Sequence, residues 1–248
     1  MMDVPRIFTQ VAMVASISVD SISVDIGAVT YPDCDGQPMS DNTKQFRWIV
    51  TIKENLEILF ADDPNVFVAG DLLWYPVEGN NKLRQAPDTM VAIGRPKGDR
   101  GSYQQWKEEN IAPQIVFEIL SPGNRMGEMN RKFKFYEQYG VEEYYIYDPD
   151  RIDFNGWIRA GDSLESIDFQ ENFVSPRLGI WFELQDPSPL VIYRPDGQPF
   201  MGFIDLDRLR QQANSRADQA ENRATLAETQ AQKLAAKLKE LGIDPDSL

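Results

Sequence analysis

Gln114-Ile115-Val116-Phe117-Glu118-Ile119-Leu120-Ser121-Pro122 is the stretch whose reading decides the fold. Ile115, Val116, Phe117, Ile119 and Leu120 make a short apolar run rich in strand formers and closed by Pro122, which predicts a buried strand. Glu118 stands in the middle of that run. Burying an ionised carboxylate costs several kcal/mol unless the group is paired or binds a cation, so Glu118 needs an explanation that a surface glutamate would not. A second carboxylate precedes it: Pro87-Asp88 opens the apolar run Met90-Val91-Ala92-Ile93 and sets Asp88 at the mouth of another strand. Two carboxylates on neighbouring strands, followed by a helix that carries basic side chains, suit a hard divalent ion with oxygen ligands.

The bulk composition narrows the chemistry. At 248 residues, 42% hydrophobic and 26% charged, the chain reads as globular, with one sizeable core or a core and an appendage. No stretch approaches the ~20 apolar residues of a membrane span. Val11 to Ala15 is too short for the apolar part of a signal peptide, follows only Arg6 as a positive charge and runs on to Asp20, so the reading is cytoplasmic. Cys34 is the sole cysteine, which rules out an intrachain disulfide or a cysteine zinc site. The chain has no histidine, so serine and cysteine triads with a histidine base and histidine-ligated zinc are excluded. Acid-base or metal chemistry must come from carboxylates, lysine, tyrosine, serine or bound water. A formal charge of −14 argues against tight nonspecific binding to nucleic acid, while leaving room for a local basic groove.

Around the two carboxylates the chain divides into an N-terminal arm (1–37), a central domain (38–204) and a C-terminal helix (205–248). The arm contains the tandem Ser16-Ile17-Ser18-Val19-Asp20 and Ser21-Ile22-Ser23-Val24-Asp25, too short for a repeat architecture. Ser40 is placed as the N-cap of a first helix over about 41–60, on which Phe46, Ile49, Val50, Leu56 and Phe60 recur at a helical period. Val66 to Tyr75 reads as a strand paired in a hairpin with the strand from about Pro87 to Ile93. The basic loop Gly94 to Gly101 reads either as a solvated turn or as a phosphate contact, and Tyr103 and Trp106 as packing groups. A helix from about Arg125 to Tyr139 ends at Gly140, and Glu128, Lys132 and Tyr136 recur every fourth residue on one of its faces. Val141 to Tyr147 is a further strand. Residues 152–204 read as an antiparallel extension of the sheet that buries Trp157 and Trp181. From Ala213 to Leu241 apolar residues alternate at gaps of four and three, flanked by Arg216, Glu221, Arg223 and Glu228, which predicts a coiled coil ended by Gly242 and Pro245.

The ordered set Pro87-Asp88, Glu118-Ile119-Leu120-Ser121-Pro122, Glu128, Lys132, Tyr136, Gly140-Val141, Glu143-Tyr144 and Asp148-Pro149 resembles the Uma family of restriction-endonuclease-like proteins, within the PD-(D/E)XK nuclease superfamily. The likeness covers roughly 38–200, and the helix-strand-strand-strand-helix-strand order matches that superfamily's core, an α/β fold built on a mixed sheet. The resemblance implies that Asp88 and Glu118 bind the metal, with the backbone carbonyl of Ile119 as a further ligand. It implies Mg²⁺, with Mn²⁺ as a substitute, and DNA as substrate. Where the superfamily keeps a lysine two residues after the second carboxylate, this chain has Leu120; the resemblance moves that lysine to Lys132, with Lys134 as its rival, and gives Glu128 and Tyr136 supporting places.

Each residue also has a plainer reading. Asp88 can make an Asx turn, Glu118 can pair with Lys132 or Arg131 without a metal, and Glu128 with Lys132 can be a surface i,i+4 pair. Gln45 and Glu54 on the first helix are further candidates with little sequence support. Two functions fit the whole: a Mg²⁺-dependent DNA endonuclease acting as a homodimer through the coiled coil, each subunit cutting one strand, or a nuclease-fold protein without cleavage that serves as a nucleic-acid-binding or coiled-coil interaction module.

Overall fold

The computed structural model describes residues 29–34, 36, 38–169, 173–185 and 187–242. The tandem in the arm, the apolar run at 11–15 and Pro245 lie outside them. The elements are α1 (Thr43–Leu59), β1 (Val66–Ala69), β2 (Trp74–Tyr75), β3 (Thr89–Ile93), β4 (Tyr103–Gln104), β5 (Ile115–Ile119), α2 (Met126–Gln138), β6 (Glu143–Asp148), β7 (Asp153–Ala160), β8 (Ser163–Ser166), β9 (Trp181–Glu183), β10 (Val191–Tyr193) and α3 (Phe203–Glu240). Six strands form one mixed sheet in the order β1-β3-β5-β6-β7-β8. Within this sheet β5 and β6 are the parallel pair, with α2 as the crossover that parallel neighbours require, while β2 and β4 pair parallel in a separate two-stranded sheet. The order α1, β1, β3, β5, α2, β6 is the one expected from the sequence.

Strand alternation divides the core between the two faces of the sheet. Val66, Val68, Val91, Ile115, Phe117 and Ile119 pack with Ile49, Ile52 and Leu56 of α1 on one side. Phe67, Ala69, Met90, Ala92, Val116 and Tyr144 pack with Tyr136 of α2 on the other. Glu118 is on the α2 side of β5, two residues on from Val116.

Several boundaries differ from the sequence reading. Asn42, rather than Ser40, caps α1: its Oδ1 accepts from the backbone N–H of Lys44 and Gln45, both at 2.9 Å. Phe46 is turned to solvent, and the helix buries Gln45 and Ile49 instead. The apolar run 66–75 breaks after Ala69, where Gly70 passes so close to β3 that a Cβ there would meet the Asp88 carbonyl oxygen at 3.3 Å. Asp71 then turns the chain with φ of 50°, a conformation that Asp tolerates better than most residues. β7 and β8 do extend the sheet, but β9 and β10 pair with each other in a separate two-stranded sheet. Trp157 and Trp181 are half-buried, not buried, and Trp181 stacks on Tyr193 with ring centroids 3.8 Å apart.

Two polar clusters hold the crossover and its surroundings. Arg159 of β7 donates to the α2 carbonyls of Glu137 at 2.6 Å and Tyr136 at 3.4 Å, and to Val141 at 2.8 Å, placing a cation at a helix C-terminus that Gly140 closes with φ of 93°. Glu143, 1% exposed, accepts from Tyr145 Oη at 2.8 Å, Ser175 Oγ at 2.5 Å and the Arg177 N–H at 2.8 Å. The bonds from Ser175 and Arg177 pin the 175–180 turn to β6, and the bond from Tyr145 holds the Glu143 carboxylate in place for them. Replacing Glu143 by leucine strands all three donors in the interior and is expected to cost about 3 kcal/mol in urea-induced unfolding, whereas Glu143→Gln, which keeps an acceptor, costs less.

Candidate metal and nucleic-acid site

The β3–β5 register sets the site. Thr89 pairs with Phe117, so Asp88, the residue before Thr89, arrives beside the end of β5. Its Oδ2 accepts from the Ile119 N–H at 2.6 Å, so the aspartate that opens one strand caps the end of the next. Glu118 is 2% exposed. Lys132 Nζ donates to its Oε2 at 2.7 Å, and Tyr136 Oη donates to its Oε1 at 2.5 Å. The one-turn spacing of Lys132 and Tyr136 on α2 matches the two oxygens of a single carboxylate.

The sequence candidates therefore separate clearly. Asp88, Glu118, Lys132, Tyr136 and the Ile119 backbone come together. Glu128 is half-buried one turn before Lys132 and lines the same cleft. Lys134 and Arg131 point away as exposed residues, which leaves Lys132 as the partner of Glu118. Glu54 pairs with Lys53 at the surface. Gln45 is 6% exposed and its Nε2 donates to the Ile119 carbonyl at 2.8 Å, while its Oε1 accepts from the Asp41 N–H at 2.8 Å. The Ser121 hydroxyl donates to the Asp41 carboxylate, so the first turn of α1 is stitched to the end of β5 at two places.

The basic loop 94–101 is committed elsewhere. Arg95 and Arg100 bond Glu108 at 3.1 and 2.6 Å, Lys97 reaches Glu57 at 3.4 Å, and Arg100 lies 3.9 Å over the Phe67 ring. Its arginines and lysine are paired within the domain, so the loop is neither the solvated turn nor the free phosphate contact that the sequence offered. Tyr103 is fully buried, with its hydroxyl on the Ile111 carbonyl.

Above the carboxylates opens a cleft of about 400 Å³ whose walls include Asp41, Gln45, Asp71, Asp88, Glu128 and Lys132. Lys132 is the single cation among the described lining residues, against four carboxylates. Asp71 had no place in the sequence reading; its signal was an aspartate directly after the glycine that interrupts an apolar run. Burial, and then repulsion from Glu118, hold the Asp88 carboxyl well above the usual carboxylate range, against the pull of Lys132. Burial alone would lower Lys132, but attraction first to Glu118 and then to Asp88 outweighs it and raises the ammonium above its ordinary value. Tyr136 is raised by burial and by Glu118. The hydroxyl of Tyr144, buried on the same face, has no hydrogen-bond partner and feels the charges of both Glu118 and Asp88.

The residues present fit a divalent cation. Two carboxylates, Asp88 and Glu118, stand near one lysine; burial first and Glu118 second raise Asp88, so a cation beside it would favour its ionised form. The donors are all oxygen: two carboxylates and the Ile119 carbonyl. Among the described residues no group of three Asp, Glu, His or Cys side chains is arranged to hold a metal ion by itself.

The profile of the Uma2 family, described as "Putative restriction endonuclease", matches residues 34–187, and the chain belongs to that family. Among solved structures the fold is similar to that of a "putative nuclease belonging to DUF820" from Anabaena variabilis, at 17% identity and a TM-score of 0.42, covering 56% of this chain and 74% of that one. No curated protein matches the sequence.

The raised Asp88 gives a prediction with a definite sign. In metal-free buffer the folded protein holds a proton on Asp88 at pH values where the unfolded chain has released it. Stability therefore falls as the pH rises from about 4, the ordinary aspartate value, through the folded value of Asp88, and is level above it. Asp88→Asn keeps an oxygen acceptor for Ile119 and removes this slope, so in EDTA it is expected to be more stable than wild type at pH 7 and equal or weaker near pH 4. Urea titrations across that range check it.

Proposed function

We propose that the chain is a Mg²⁺-dependent endonuclease that hydrolyses DNA phosphodiester bonds. The observation that carries this reading is Asp88 in the wall of an acidic cleft, with Glu118 buried behind it and Lys132 bonded to Glu118 from the same wall. An acidic cleft repels bare phosphate, and a divalent ion between its carboxylates and the substrate reverses that sign. Asp88, Glu118 and the Ile119 carbonyl are the groups that would hold the ion. When bound, it supplies polarisation of the scissile phosphodiester and a lowered pKa for an attacking water. Mn²⁺ offers similar charge to the same oxygens.

The chain's own residues supply the rest. Tyr136 and Lys132 each hold one oxygen of Glu118, which fixes the orientation of the carboxylate behind the cleft wall. Lys132, kept protonated by Glu118, Asp88 and Glu128, brings a fixed positive charge to the cleft wall, where it orients water and stabilises charge developing on the phosphate. Gln45 holds the Ile119 carbonyl at its place on the wall through a bond that does not exhaust that oxygen. Histidine is needed for none of these steps. The exposed seam of α3 supports a homodimer, with each subunit cutting one strand.

Nicking of plasmid and single-stranded DNA by the purified protein tests the reading. Cleavage is expected in Mg²⁺ or Mn²⁺ and not in EDTA, with Glu118→Gln and Lys132→Met each losing about 10²-fold or more, the scale of removing one charge-stabilising group. Mg²⁺ is also expected to raise the melting temperature of wild type but not of Asp88→Asn. A silent wild type that Mg²⁺ does not stabilise would sink the metal reading and leave the protein a nuclease-fold binding or interaction module.

A further inference from the structure

We infer that α3 pairs with a second copy of itself in parallel and in register, bringing the two nuclease-like domains to the same end of the coil. The inference rests on the homodimer proposed above and adds its direction. α3 runs 38 residues with none buried. Its seam runs from Ala213 through Ala217, Ala220, Ala224, Ala227 and Ala231 and closes with Leu234, Leu238 and Leu241; Leu206 and Phe203 lie on the same spacing before it, beyond Arg210, which occupies the intervening core position and pairs with Asp207. Phe203, Leu234 and Leu241 are 83%, 63% and 75% exposed, so the larger apolar groups at the ends of the seam are left open by the described residues.

The flanks of the seam choose the partner and its direction. With Ala217 and Ala224 in the first core position of each heptad, Arg216, Arg223 and Lys237 fall on one flank, and Glu221 and Glu228 on the other. One flank is basic or neutral throughout; the opposite flank, completed by Asn214 and Ala235, is acidic or neutral. In a parallel, in-register pair each flank meets the opposite flank of the partner one heptad on, so Arg216 faces Glu221 and Arg223 faces Glu228 of the second copy, each pair formed twice about the two-fold axis. In an antiparallel pair each flank meets its own kind, arginine against arginine and glutamate against glutamate. The charges are also available. Arg208 and Arg210 are consumed within the helix by Asp205 and Asp207 at 3.1 and 2.7 Å, whereas Arg216, Glu221, Arg223 and Glu228 make no ion pair among the described residues.

The start of α3 is fixed to the domain. Asn55 of α1, 3% exposed, donates to the Met201 carbonyl at 2.9 Å and accepts from the Met201 N–H at 3.1 Å, gripping the backbone two residues before the helix begins. A parallel coil therefore holds both domains beside its N-terminal end. An antiparallel coil would hold them at opposite ends of a helix about 57 Å long.

The full-length chain with Cys34→Ser, which removes the sole cysteine, is the background for the test. Ala213→Cys and Leu234→Cys are introduced one at a time, and disulfide formation under mild oxidation is read beside sedimentation velocity of the reduced proteins. The expected result is a dimer in sedimentation and a same-site disulfide at both positions. A dimer that forms a same-site disulfide at neither position, or at only one, is not parallel and in register, which overturns this inference and leaves the homodimer standing. A monomer at all concentrations overturns both. Charge exchange gives a second readout without cysteine. Arg216→Glu with Arg223→Glu is expected to weaken dimerisation about tenfold or more, and adding Glu221→Arg with Glu228→Arg to restore it, because the exchange restores opposite charges only across a parallel pair; absence of rescue overturns the assignment.

Discussion

A glutamate in the middle of a buried strand is the constraint on which the rest of the structure depends. Glu118 cannot stay ionised on β5 without donors, and the donors come from the helix that the parallel pairing of β5 and β6 requires. Lys132 and Tyr136 occupy α2 at the one spacing that serves two oxygens of a single carboxylate. The position of α2 then matters to within a fraction of an ångström. Arg159 and Gly140 hold its C-terminal end, and stacked aromatic rings from Trp74, Tyr136 and Tyr144 fill the space beneath it. Packing that reads as ordinary core is in this sense the support of one ion pair.

The second organising fact is a deficit of positive charge. In the basic loop 94–101, arginines and carboxylates are matched closely, and Arg95, Arg100 and Glu108 close a buried network there. Around Asp88 the matching stops, and four carboxylates line a cleft with one lysine. The two regions differ in kind: one is a closed ion-pair network, the other a cleft whose charged lining, among the described residues, is mostly acidic. The acidic net charge, which argues against nucleic acid when taken as a sum, is concentrated in part where a divalent ion would convert it into attraction.

What could be read from the sequence divides along the range of the interactions. The strand around Glu118 and the four-residue spacing of Glu128, Lys132 and Tyr136 are local patterns, and both were legible. So was the element order, because each strand and helix carries its own periodicity. The start of α1 was placed at Ser40 and lies at Asn42 instead, since serine and asparagine are equally good caps and the sequence alone does not rank them. Gln45 escaped notice as more than a candidate because its partner, the Ile119 carbonyl, is 74 residues away and no pattern links the two. The separate β9–β10 sheet shows the same limit: a strand displays its propensity in its own residues but not the identity of its neighbour. Asp71 was the avoidable omission, since an aspartate turning the chain with positive φ after a glycine is a local signal.

The crossover has a consequence for the order in which the molecule becomes competent. Asp88 and Glu118 come from two strands that pair antiparallel and are 30 positions apart, but the lysine that faces them rides on the segment that must swing over the sheet before β6 can dock. A chain emerging from the ribosome, or one opened by local unfolding at α2, holds the carboxylates without their cation. Whatever the cleft does is thereby tied to completion of the fold, since its one described cation arrives with the crossover.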